Sequence, residues 1–141
     1  MRHELNLAPH FSLHQSYLKE VITEFKNAGI RTSIFIDTDL KLIEAAAKTG
    51  TDRIELYTEF FASEYDKGNK KAVKPYAEAS ILAHELGLGI NAGHDLSLDN
   101  IEFFKQNISN LAEVSIGHAL ISESLYLGLQ NVVKMYLHRL Q

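Results

Sequence analysis

Apolar residues along the chain fall into two recurring patterns, one at helical spacing and one in short, nearly unbroken runs. Tyr17, Leu18, Val21, Ile22, Phe25 and Ala28 share one helical face. Ser12 and Gln15 ahead of them have the S-x-x-Q spacing of a capping box, and Gly29 stands where a C-terminal glycine belongs. Residues 31–37, RTSIFID, are β-branched and aromatic and predict a buried strand. The run ends on Asp37, which is expected to cap the next helix.

The alternation then repeats. Residues 38–49 predict an alanine-rich helix closed by Gly50, and residues 53–57, RIELY, a second strand. Residues 58–70 are expected to form a long polar loop. Residues 71–86 predict a helix closed by Gly87, with Pro75 marking its first turns. Residues 88–92, LGINA, and 112–116, AEVSI, predict two further strands, separated by a helix over 97–108 capped by Ser97. A final helix is expected over 123–140, with Leu125, Leu129, Val132, Val133, Tyr136, Leu137 and Leu140 as its apolar stripe.

Four β/α units after a leading helix imply parallel strands with right-handed crossovers. Two α/β architectures fit: a small doubly wound sheet, or part of a TIM-type (β/α)8 barrel. A complete barrel needs about 250 residues, so four strands are half of one.

Composition narrows the class. The chain has 141 residues, 45% hydrophobic and 23% charged, which suits one domain with a real core over residues 1–141. With two prolines and eight glycines, no linker is expected. The absence of cysteine excludes disulfides, thiolate catalysis and zinc–sulfur sites. Fourteen basic against eighteen acidic residues give a net charge of −4, which argues against a general nucleic-acid or membrane-surface binder. No stretch approaches the roughly 18 apolar residues of a spanning helix, and the N-terminus lacks a signal-peptide pattern. An intracellular protein is expected.

In either architecture, chemistry collects at the C-terminal ends of the strands. Those ends carry Asp37, then Glu55, Tyr57, Thr58 and Glu59, then Asn91 through Asp95, then Ser115 through His118. Two strands finish on Gly-His, at Gly93-His94 and Gly117-His118. A glycine lets the backbone approach a ligand closely, and a histidine can move a proton near neutral pH. Glu55 lies between Ile54 and Leu56, so alternation points it away from both. The bland readings are loop histidines, and a Glu55 paired with Arg53 or a lysine. The segment after His118, ALISESL, should open a short helix whose backbone N–H groups can bind phosphate. That places a phosphate near Gly93, Asp95, Gly117 and His118, with Asp95 acting through its N–H.

His3, His10, His14, His84 and His138 lack matching spacing, and the His10–His14 pair is a poor metal site. Tyr57, Phe60, Phe61 and Tyr65 form an aromatic patch expected to serve packing or a subunit contact.

The runs NAGHDLSLDN and EVSIGHALISESLYLGL, with AGIRTSIFID followed by DRIELYTE, resemble the C-terminal half of the pyridoxine 5′-phosphate synthase family. The resemblance runs from about Tyr17 to the end. YTE and GHDLSL look like the form of one bacterial branch. The resemblance implies a (β/α)8 barrel with added helices, cytoplasmic and homo-oligomeric. The implied reaction condenses 1-deoxy-D-xylulose 5-phosphate with 3-amino-2-oxopropyl phosphate. Its products are pyridoxine 5′-phosphate, inorganic phosphate and water, and it uses no metal or organic cofactor. By this resemblance His94 is a proton donor and acceptor, and Glu55 stabilises charge. Asp95, Gly117 and His118 bind substrate and phosphate. The family's Asn-x-Asp-His-like first strand, His-x-Arg pair and glutamate base have no match in the chain, and residues 1–15 form an atypical leader. The expectation is a half-barrel, inactive alone. The alternative is a non-catalytic half-barrel that binds phosphate compounds or serves as a scaffold.

Overall fold

A strand of alternating outward and inward residues can bury one face against helices while leaving the other open. The computed structural model, which describes residues 7–141 and side chains from residue 14, builds four such strands. In chain order the elements are α1 (Leu7–Asn27), β1 (Ser33–Ile36), α2 (Leu40–Ala47), β2 (Arg53–Tyr57) and α3 (Glu59–Asp66). A 3-10 turn (Lys70–Val73) leads into α4 (Lys74–Glu85) and β3 (Gly89–His94). Then come α5 (Ile101–Asn107), β4 (Leu111–Ile116), α6 (His118–Leu127) and α7 (Leu129–Arg139).

The strands pair in parallel in the order β1-β2-β3-β4. Each strand lies beside its predecessor, as in a barrel segment; a doubly wound sheet would reverse direction at a switch point. Ile34, Ile36, Ile54, Leu56, Ile90, Ala92, Val114 and Ile116 face the helices. They join one apolar cluster with Ile43 and Ala46 of α2, Tyr76 and Ala79 of α4, and Phe104 of α5. The other face is open: Phe35 in its middle is 53% exposed. The fold is α/β, and this one-sided sheet fits half of a (β/α)8 barrel.

Several boundaries differ from those the sequence predicts. Helix α1 begins at Leu7, five residues before the expected cap at Ser12, whose side chain lies outside the described residues. Pro9 is tolerated there because first-turn N–H groups have no partner to lose. The expected leader over 1–15 falls largely outside the described side chains, as do His3 and His10. Asp39, not Asp37, caps α2, its carboxylate accepting the Lys41 N–H at 2.8 Å. Ser97 starts a turn ahead of α5 and Asn100 is the cap residue: the Ser97 N–H donates to Asn100 Oδ1 at 2.9 Å.

The expected loop over 58–70 is mostly helix α3 and the 3-10 turn. Phe61 is its anchor, fully buried between Tyr65, Tyr76, Phe103 and Phe104. The Tyr76 hydroxyl accepts the Phe61 N–H at 3.3 Å and donates to the Tyr57 carbonyl at 3.0 Å. Only Phe61 and Ala62 of the eight residues of α3 are buried, too few to show a helical period in the sequence. The aromatic patch therefore divides. Phe61 and Tyr65 belong to the core side, whereas Tyr57 packs edge-on against Phe35 on the open face.

The final helix is two helices, broken at Gly128, whose φ of +80° favours glycine. Of the expected stripe only Val132 and Tyr136 are buried; Leu125 is 80% exposed. Likewise only Ile22 of the α1 face is buried. No helix among the described residues is long and apolar enough to cross a membrane.

Asp52 ties the start of β1 to that of β2. Its carboxylate accepts the Thr32 N–H at 2.8 Å and the Thr32 hydroxyl at 3.0 Å, and pairs with Lys26 at 3.0 Å. The Thr32 N–H bond, then Lys26, holds the Asp52 pKa down to about 2, from 3.8. Because the folded pKa is depressed, the contribution is complete above about pH 4 and lost as pH falls toward 2. Asp52→Asn should flatten the acid limb of the stability curve in that window. Urea midpoints from pH 5 to 2 would check this; identical limbs in both proteins would refute it.

Candidate active site

Strand alternation carries Glu55 to the open face, because Ile54 and Leu56 on either side of it are fully buried against the helices. Glu55 pairs in register with Phe35 of β1 and Asn91 of β3. The expected partner Arg53 turns elsewhere. It meets Glu113 at 3.1 Å and Asn91 Oδ1 at 2.9 Å, and Arg31 reaches the same Glu113 at 2.9 Å. This charged layer lies below Glu55 and leaves it unclaimed. Arg31 and Glu113 are not among the residues that the sequence marks as candidates, and Asn91 is marked only as part of the strand end. Alternation alone could have placed Asn91 and Glu113 inward, but only the register pairs them.

Gly93 and His94 end β3. Gly93 is required by its neighbour strand: a Cβ there would overlap the Ser115 carbonyl oxygen and lie 2.8 Å from the Ser115 Cβ. That corrects the expectation that this glycine makes room for a ligand. His94 then takes φ +89°, a conformation few non-glycine residues adopt. Its ring sits edge-on to Phe35, with centroids 5.1 Å apart. Its Nδ1 lies 3.5 Å from Glu55 Oε1, and that oxygen is buried and makes no hydrogen bond. That oxygen therefore has an open acceptor position facing the mouth, while the side chain as a whole stays 17% exposed.

Two depressions meet at these residues. One, of about 720 Å³, is bounded by Phe35, Glu55, Tyr57, His94, Asp95, Ser115 and His118. The other, of about 360 Å³, is bounded by Glu59, Ala62, Ser63, Asp66, His94, Asp95, His118 and Ala119. His94, Asp95 and His118 border both, so the strand ends expected to form the site do converge on one mouth. Helix α6 begins there, with Gly117 as cap residue and no side-chain cap. A Cβ at Gly117 would meet open space, so this glycine, unlike Gly93, does leave room above the helix start. Asp37 borders neither depression.

The mouth is acidic. Neither lining contains a lysine or arginine, whereas Glu55, Glu59, Asp66 and Asp95 all contribute carboxylates. Burial, and then the charges of Asp95, Glu59 and Asp37, hold the Tyr57 phenol above its ordinary 10.0. Among the described residues no cluster of three or more histidine or acidic side chains is placed to hold a metal ion.

Comparison with known proteins bears on this arrangement. The family described as Pyridoxal phosphate biosynthesis protein PdxJ matches residues 9–141. A pyridoxine 5′-phosphate synthase of Flavobacterium johnsoniae is 72% identical over 91% of this chain and 54% of its own length. Those of Christiangramia forsetii and Cytophaga hutchinsonii are 67% and 53% identical over the same shares. The chain spans about half the length of these relatives. With the match covering nearly all of it, the chain belongs to the PdxJ family of pyridoxal phosphate biosynthesis proteins.

Proposed function

We propose that this chain carries one half of a pyridoxine 5′-phosphate synthase site. The reaction is condensation of 1-deoxy-D-xylulose 5-phosphate with 3-amino-2-oxopropyl phosphate, releasing inorganic phosphate and water. The observation that carries the reading is the convergence of Glu55, His94 and His118 from three consecutive strands on one mouth. Joining an amine to a ketone expels water and passes through cationic nitrogen species. A carboxylate at the mouth stabilises that charge, and Glu55 offers one, with its buried Oε1 free of hydrogen bonds. His94 beside it donates and accepts the protons. Gly117 and His118 take the phosphate of a substrate at the start of α6; Asp95 borders the same mouth, but its N–H, expected to bind the phosphate, is already given to the Thr58 hydroxyl. No metal or organic cofactor is required by these roles. The setting is cytoplasmic.

One observation favours a second reading, a non-catalytic half-barrel: the acidic linings offer a phosphate dianion no lysine or arginine. The full reaction therefore needs cations from another polypeptide segment. Assembly follows from the same geometry. The open face and the edges of β1 and β4, which have no partner strand among the described residues, are liabilities that a further copy or the other half of a barrel would cover.

The test is product formation from the two substrates. The 141-residue chain alone should give none, and should elute larger than a monomer by light scattering. Residues 14–141 joined to the remaining part of the Flavobacterium johnsoniae protein should make pyridoxine 5′-phosphate. A folded joined protein without product would overturn the enzyme reading, and a monodisperse monomer would overturn the assembly.

A further inference from the structure

We propose that Thr58 is the positioning residue that holds His94 in its strained, inward-facing conformation. The inference rests on the reading of His94 as the proton-transfer group.

Thr58 follows β2 and is fully buried. Its hydroxyl donates to the Gly93 carbonyl at 2.5 Å and accepts the Asp95 N–H at 3.3 Å. One side chain thus grips the backbone on both sides of His94, the residue at φ +89°. Such a conformation persists only where its surroundings over-determine it. Gly93 is wedged against Ser115 before it, and the Thr58 hydroxyl closes the turn after it. The ring is thereby left over Phe35 and within 3.5 Å of Glu55.

The local role open to this threonine is not taken. Thr58 is the cap residue of α3, yet its side chain makes no capping bond. Its carbonyl alone serves the helix, accepting the Ala62 N–H at 3.0 Å. The hydroxyl is spent on a contact 35 and 37 residues away, across the sheet. A substitution that removes the hydroxyl but keeps the backbone should therefore disturb His94 and leave α3 in place.

The experiment is NMR on the 141-residue chain, whose readouts do not depend on turnover, so that failure of the enzyme reading and failure of this proposal are separable. Wild type, Thr58→Ser and Thr58→Val are compared. Thr58→Val should speed Asp95 amide exchange by about tenfold and abolish the nuclear Overhauser contacts between the His94 and Phe35 rings. The methyl signals of Ile54 and Leu56 should stay in place. Thr58→Ser should retain the wild-type exchange rate and ring contacts. A folded Thr58→Val protein with both readouts unchanged overturns the proposal. So does a wild-type Asp95 amide that exchanges as fast as an exposed loop, a measurement that stands even if Thr58→Val does not fold.

Discussion

Replacing His94 by alanine in the joined protein should lower kcat by about 10²- to 10⁴-fold, the range for loss of a positioned acid–base group. The side chain is 59% exposed, in edge contact with Phe35 and 3.5 Å from Glu55. Its removal should therefore leave the melting temperature nearly unchanged. The side chain does not line the apolar cluster between sheet and helices, so a loss of rate cannot be traced to collapse of the core. Initial rates of pyridoxine 5′-phosphate formation, with thermal melts on the same samples, would check this. A loss under tenfold would remove His94 from the proton-transfer role.

The second large effect concerns stability. Gly93→Ala should cost about 3 kcal/mol, because the new methyl meets the backbone of Ser115 and not the end of a flexible side chain. For a chain of this size that is a fall of roughly 10 °C in melting temperature. The strain falls on the β3–β4 pairing, where Gly93 and Ser115 are register partners. The mouth should open as those strands separate. Gly117→Ala is the control: its methyl has open space, and the change should cost no more than about 1 kcal/mol. Equal melting temperatures for the two variants would show that β3 and β4 are not packed as closely as described.

Much of this was legible from local pattern. Ile54 and Leu56 flanking Glu55 declared its direction, because alternation is a property of the strand itself. Gly29, Gly50 and Gly87 follow their helices where expected. The Gly117-His118 step into a helix also holds. The failures were of a different kind. Helix α3 was hidden because its buried residues, Phe61 and Ala62, are too few in eight positions to show a period. Two helices read as one because the stripe from Leu125 to Leu140 ran through Gly128 unbroken in sequence, while the chain turned at that glycine. An apolar stripe did not guarantee burial either, as the exposed Leu125 shows.

By itself, then, the sequence determined the alternation of strands and helices, the inward direction of Glu55 and the strand ends where chemistry gathers. These depend on spacing between near neighbours. Tertiary structure alone decided which glycine serves packing and which leaves room, that Arg53 goes to Glu113 instead of Glu55, and that Thr58 grips the turn around His94. Each of these depends on register between strands. Arg31 meets Glu113 across 82 residues, and Arg53 meets Asn91 across 38. A period of two is unchanged by any shift of two residues, so no local pattern distinguishes one such pairing from the next; only the packed sheet does.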